Sequence, residues 1–147
     1  MTDKSLKPAV AKVIGIRLAG ESHQVVTVQS GGHRYRKQPC HDCPWRKDAV
    51  GEFPAQAFRI SANTAYDMST HVFSCHSSGS KKPATCAGFL LRGAEHNLSV
   101  RLGKIRGDYK DDVSDGGLEL FADYRQMAEA NGVDANDPIL ASCRDNR

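Results

Sequence analysis

Four cysteines in a fixed pattern restrict how this chain can fold. Two residues separate Cys40 from Cys43, 31 residues then precede Cys75, and ten more precede Cys86. Thiolates are strong ligands for Zn²⁺ and for the iron of iron–sulfur clusters. The spacing C-x2-C allows both sulfurs to coordinate the same ion. We therefore predict one metal site formed by Cys40, Cys43, Cys75 and Cys86, with Cys143 standing apart.

The expected compartment favours ligands over disulfides. The N-terminal stretch has no apolar segment ahead of a small-residue cleavage site, and no run approaches the ~18 apolar residues needed to span a bilayer. We expect a cytoplasmic protein with no membrane partner. In that reducing compartment an odd count of five cysteines is typical of thiols rather than of a disulfide framework.

Zinc is the expected cofactor, and a [4Fe–4S] cluster is the alternative. Zinc commonly occupies small sites made of four cysteines, although those sites usually have two C-x2-C pairs and this chain has one. The ten-residue spacing and the Cys43-Pro44 dipeptide suit a cluster. Thiols without a metal are the third possibility. His76, His41 or His71 could substitute for a cysteine, but a supporting or surface role is commoner for a lone histidine.

Hydrophobic periodicity predicts an α+β fold in a single domain over residues 1–147. A first run with Val13, Ile14, Ile16 and Leu18, the β-branched run HQVVTVQ, and HRYRK after them predict an antiparallel hairpin or three-stranded meander within residues 1–37. Gly15 inside the first run indicates a bulge. A further short strand is expected at HVFSC, before Cys86.

About three helices are expected after the hairpin. They span 54–68, 84–105 with Thr85 near its cap, and 117–131 with Gly132 just past its end. The first two helices belong to a cysteine-site core, residues 38–107. The third belongs to an acidic C-terminal part, residues 108–147.

Charge is unevenly distributed along the chain. Residues 1–49 carry nine basic and four acidic side chains, residues 50–107 carry seven and three, and residues 108–147 carry four and ten. A basic body favours an anionic partner, most commonly nucleic acid, although solvated faces are the simpler explanation of spread-out charge. If the four sulfurs meet, the basic residues near them also meet. The nucleic-acid contacts expected on that basis are Arg34, Arg36, Lys37, Arg46, Lys47, Lys81 and Lys82.

Enzyme signatures are weak in this sequence, and we assign no catalytic residue. A zinc deaminase needs H-x-E, and no histidine here is followed two positions later by glutamate. A thioredoxin-like pair needs a βαβ setting that the pattern does not supply. A metal-dependent nuclease using His96 and Asn97 is conceivable, but both fall in the middle of the expected 84–105 helix. We expect Trp45 to pack over the metal loop rather than stack on a base.

The segments CHDCPWR, FSCH and CAGFLLRGAEHNLSVR resemble an uncharacterised family of small four-cysteine proteins of bacteriophages and bacteria. The resemblance covers residues 38–102 and implies a bacterial cell or a phage-infected host, with a host-directed or gene-regulatory role. With the residues, it favours a non-enzymatic binding module or regulator that contacts nucleic acid or a host protein. A [4Fe–4S] redox or sensor protein and a metal-dependent nuclease are the alternatives.

Overall fold

The fold opens with the predicted antiparallel hairpin. In a computed structural model that describes residues 12–19, 23–29, 34–78 and 83–144, β1 (Lys12–Leu18) pairs with β2 (Gln24–Gln29). The register shifts between Val13 and Gly15, which confirms the predicted bulge. β3 (His71–Val72) pairs antiparallel with the other edge of β2 and completes a three-stranded sheet.

The HRYRK segment was a wrong prediction for the third strand. Residue 33 lies outside the described residues, and from residue 34 onward the segment makes a single parallel bridge, between Tyr35 and Thr85. Thr85 also bridges Ser74 on its other side. Three short extended segments, 34–36, 84–86 and 73–75, therefore run side by side next to the cysteines.

The rest of the described chain contains four short α-helices. α1 (Ala55–Ser61) follows Pro54 and continues as a 3-10 turn over Ala62–Ala65. The predicted 54–68 helix therefore begins where expected but ends before residue 68. α2 (Ala87–Arg92), α3 (Leu98–Arg106) and α4 (Tyr124–Ala130) follow. With the three-stranded sheet they make one small α+β domain, as predicted.

The single helix expected over 84–105 is wrong, because the chain breaks between α2 and α3. Gly93 ends α2, and an ideal Cβ there would lie 2.5 Å from the Trp45 ring, so only glycine lets the indole pack at this point. Asn97 then begins α3 by accepting a hydrogen bond from the Val100 N–H. The cap was predicted at Thr85 or a nearby residue, and it is the adjacent Cys86.

The C-terminal helix is shorter than the predicted 117–131. Gly116 and Gly117 have φ of 64° and 81°, a left-handed backbone that interrupts any helix there. Residues 119–121 instead run antiparallel to residues 45–47, with a bridge between Leu120 and Arg46. Asp123 caps α4 through the Gln126 N–H, and Gly132, at φ 99°, ends it as predicted.

The core is built around Trp45, which is fully buried. Its indole meets Phe73 and Tyr124 edge-on, with ring centroids 5.9 Å apart in both pairs. Gly88 lets α2 approach the same side chain, since a Cβ at Gly88 would lie 2.5 Å from the Trp45 Cβ. The loop that carries Cys40 and Cys43 is thereby anchored in the centre of the domain.

Candidate metal centre and basic cleft

The fold brings the four predicted ligand residues together from three separate segments. Cys40 and Cys43 lie in the turn before Trp45, Cys75 follows β3, and Cys86 immediately precedes α2. Backbone hydrogen bonds fix the last two: the Cys75 N–H donates to Ala84 O at 2.6 Å and the Cys86 N–H to Phe73 O at 2.9 Å. A separation of 31 residues in the sequence is thus closed by the fold itself.

Two of the four sulfurs lie in contact, and three of the four cysteines are buried. The Sγ atoms of Cys43 and Cys86 are 3.5 Å apart, and both residues are buried. Cys40 is half-buried and close enough to Cys43 and Cys75 for the thiols to shift one another's pKa values. Each of the four cysteines therefore has at least one of the others as a neighbour.

These contacts disfavour the thiolate form in the absence of a cation. The neighbouring Cys40 thiol, followed by burial, raises the pKa of Cys75 to about 12. The pKa of Cys43 is also raised: the hydrogen bond with Cys40 lowers it, but the bond with Cys86 and burial outweigh that effect. Reactive cysteines have a lowered pKa, the opposite of the direction found for Cys43 and Cys75.

Four sulfurs at 2.3 Å from a tetrahedral Zn²⁺ would lie about 3.8 Å apart. The Cys43–Cys86 separation of 3.5 Å is close to that edge length. Within the described ranges, however, no group of three or more His, Cys, Asp or Glu side chains stands in an arrangement that could hold a metal ion. Loading an ion would therefore require the four sulfurs to move closer together.

Arg46, a predicted nucleic-acid contact, instead holds the cysteine loop. Its Nη1 donates to the carbonyl oxygens of Cys40 and His41 at 3.2 and 2.9 Å. Its Nε and Nη2 form a two-point ion pair with Asp48 at 2.7 and 2.6 Å. The guanidinium therefore makes its hydrogen bonds and its ion pair within residues 40–48, and it holds the backbone at Cys40 in place.

Trp45 and the histidines have different surroundings. Trp45 belongs to the same buried cluster as Cys43 and Cys86, which agrees with a shielding role and leaves its ring inaccessible to a base. His41 is 85% exposed and lies 3.8 Å from Asp42. The backbone of His76 belongs to a 3-10 turn, and its side chain lies outside what the structure describes. His71 pairs with β2 in the sheet.

The two nuclease candidates, His96 and Asn97, lie in the break between α2 and α3. Asn97 is 1% exposed, and its amide donates to the carbonyl oxygens of Thr64 and His71 at 3.2 and 2.6 Å, while its oxygen caps α3. All of these bonds are structural. The expectation that His96 and Asn97 lie within a continuous helix is wrong, since both precede α3.

Three of the predicted nucleic-acid contacts lie together in a cleft beside the cysteines. This basic cleft has a volume of about 860 Å³, and Arg34, Arg36 and Lys37 form one of its walls. Lys47 and Arg46 are not among its lining residues. Lys81 and Lys82 lie outside the described residues.

Sequence reasoning missed the opposite wall of the basic cleft. Arg106 at the end of α3 and Lys110 just after it add two positive charges, and Asp108 and Asp112 add two negative ones. Gly107, at φ 86°, turns the chain back after α3 and so directs this wall toward Arg34 and Arg36. The signal available in the sequence was the basic end of the helix followed by glycine.

Arg36 connects the basic cleft to the cysteines. Its Nε donates to the Cys75 Sγ at 3.3 Å and its Nη2 to the Ser77 Oγ at 2.8 Å. Its backbone N–H donates to Thr85 O at 2.9 Å, one residue before Cys86. The extended segments 34–36, 73–75 and 84–86 therefore contribute to both the cleft wall and the cysteine site.

Comparison with known proteins places most of this region in one family. The model of a family of unknown function, DUF6283, matches residues 35–144. This range includes the four predicted ligand cysteines and leaves out the β1–β2 hairpin. No curated protein and no solved structure matches the chain. Among the described residues, no helix has the length and apolar character required to cross a membrane.

Proposed function

The chain belongs to DUF6283, a family of unknown function, and we propose that it is a non-enzymatic binding module stabilised by one Zn²⁺ ion bound to Cys40, Cys43, Cys75 and Cys86. The observation that carries this proposal is the meeting of these four residues from three segments, with two sulfurs 3.5 Å apart. The partner is nucleic acid or a host protein, in the cytoplasm of a bacterial or phage-infected cell.

A single ion suits the sulfur contacts better than a cluster does. Ligating sulfurs around one tetrahedral zinc are about 3.8 Å apart, whereas a [4Fe–4S] cluster sets several atoms between them and spreads them further. The contact between Cys43 and Cys86 is already at the zinc spacing. Four irons and visible absorbance in the purified protein would favour the cluster-based redox or sensor alternative instead.

The metal would act as part of the fold. It would tie the Trp45 loop to β3 and to the start of α2, elements that are distant in sequence and joined here by short hydrogen-bonded segments. Metal binding at such a site displaces thiol protons and adds its free energy to folding. Arg36 would donate to a metal-bound Cys75 sulfur and offset part of the negative charge of four thiolates.

The proposal is tested by thermal unfolding of the full chain before and after removal of metal with a chelator. We expect chelation to lower Tm and Zn²⁺ to restore it, because the ion binds the folded chain alone. Cys43→Ser should reproduce the chelated state. Cys143→Ser is the matched control, because Cys143 is also buried but lies against Ala62 O, away from the site. A Tm that does not respond to chelator or to Zn²⁺ contradicts the proposal.

A further inference from the structure

We infer that the basic cleft is a binding site for the backbone phosphates of nucleic acid, with Arg34, Arg36 and Lys110 as the contacting side chains. This inference deepens the proposed function by choosing nucleic acid as the partner. It rests on the proposed function only in that the cysteine site orients Arg36.

The charge balance of the cleft leaves three cations for a ligand. Asp108 is paired within the wall by Arg106, with Nη2 2.9 Å from the carboxylate. Asp112 receives the Tyr35 hydroxyl at 2.6 Å and Lys37 Nζ at 3.2 Å. In the part of the chain that the structure describes, no ion pair joins a carboxylate to the three remaining cations, which are Arg34, Arg36 and Lys110.

Arg36 is held in place to meet an anion. A guanidinium has five N–H donors in a rigid plane. The contacts with Cys75 and Ser77 fix that plane through Nε and Nη2, and neither partner is a carboxylate. The guanidinium keeps further N–H donors for an anion, and the fold already restricts the side-chain freedom that binding would otherwise have to remove.

The lining of the cleft fits a polymer backbone better than a small molecule. Pockets for small ligands are lined mainly by apolar and aromatic side chains, whereas seven of the eleven residues that line this cleft are charged. The Tyr35 hydroxyl is bonded to Asp112, and its ring is in T-shaped contact with Tyr109. Binding through phosphates alone is sensitive to salt and tolerant of sequence.

The test is fluorescence anisotropy with the metal-loaded full chain and a labelled oligonucleotide of about 20 nucleotides, longer than the 4–16 that one single-strand-binding fold covers. Arg34→Ala combined with Lys110→Ala should weaken binding about tenfold or more. The slope of log K against log salt should become shallower by about 1.4 to 1.8, from two lost phosphate contacts. Two oligonucleotides of unrelated sequence should bind within about threefold of each other.

The matched control removes the same charge elsewhere. Arg101 and Lys104 are exposed on α3 and do not line the basic cleft, so Arg101→Ala combined with Lys104→Ala should leave affinity within about twofold. Equal loss in the two double variants would overturn the site, and so would an absence of oligonucleotide binding at low salt. Competition by ATP near the oligonucleotide's own Kd would assign the cleft to a free nucleotide and would overturn the polymer.

The metal content of each variant separates this inference from the proposed function. Loss of oligonucleotide binding with zinc retained in Arg34→Ala, Lys110→Ala would locate the effect in the cleft. A chain that binds the oligonucleotide through these residues but holds no metal would leave the cleft standing and refute the zinc site.

Discussion

Replacing Gly93 by alanine tests how the Trp45 loop is joined to α2. An ideal Cβ at Gly93 would lie 2.5 and 2.7 Å from two carbon atoms of the Trp45 ring and 3.2 Å from Phe89. Both rings are fully buried, so neither can move aside freely. Overpacking of this kind costs about 1–3 kcal/mol of unfolding free energy.

The backbone at Gly93 adds no strain of its own. Its φ of −118° and ψ of 0° are open to alanine, and the lower entropy of the unfolded chain returns about 0.4–1 kcal/mol. The expected net loss is therefore about 1–2 kcal/mol, which for a chain of this size lowers Tm by roughly 2–8 °C. Chemical denaturation monitored by tryptophan fluorescence and a thermal melt would measure both quantities.

The control for Gly93→Ala is Gly15→Ala. Gly15 has no atom nearer than 3.9 Å to an added Cβ, so this substitution should change stability by less than about 0.5 kcal/mol. Combining Gly93→Ala with Trp45→Phe should cost less than the two single changes added together, because the smaller ring makes room. Equal stability of Gly93→Ala and Gly15→Ala would refute the account of the α2–α3 break.

Three further changes follow from single side chains. Asn97→Ala should lower the free energy of unfolding by about 2–4 kcal/mol, because α3 loses its cap and two buried carbonyl groups lose their donor. Asn136→Ala, at an exposed position, is the control. A loss below about 1 kcal/mol in Asn97→Ala would contradict this prediction. Arg59 holds the pKa of Asp137 below its usual range, so the stabilisation from this pair is present at neutral pH and is lost as pH falls through the lowered folded-state pKa. Asp137→Asn should therefore flatten the decline of Tm below ~pH 4. A Tm–pH profile identical to that of the unchanged chain would contradict this prediction. Arg46→Ala should weaken metal affinity about tenfold or more by releasing the carbonyl groups of the cysteine loop, and unchanged affinity would show that the loop keeps its shape without this side chain.

The elements that the sequence predicted well are those that local patterns determine. Alternating β-branched residues define the β1–β2 hairpin, Gly15 defines its bulge, and Gly132 ends the last helix. The spacing of the four cysteines also indicated that distant segments meet, and the structure places them side by side.

The errors arose where tertiary contacts decide the local structure. The apolar repeat of residues 84–105 continues across the α2–α3 break, but the Trp45 ring and the Asn97 cap interrupt the helix there. Residues 119–121 have helical periodicity and yet pair with residues 45–47. The second wall of the basic cleft was missed because the turn at Gly107 is what places Lys110 in the same cleft as Arg34.

The metal content of the chain, purified without oxygen and without a histidine tag, is the measurement to make before all others. Elemental analysis should find about one zinc per chain with no visible absorbance. The zinc should be lost in Cys43→Ser and retained in Cys143→Ser, since only the first lies among the four meeting thiols. Freshly purified protein with all of these thiols titratable and no stoichiometric metal would contradict the proposed zinc site.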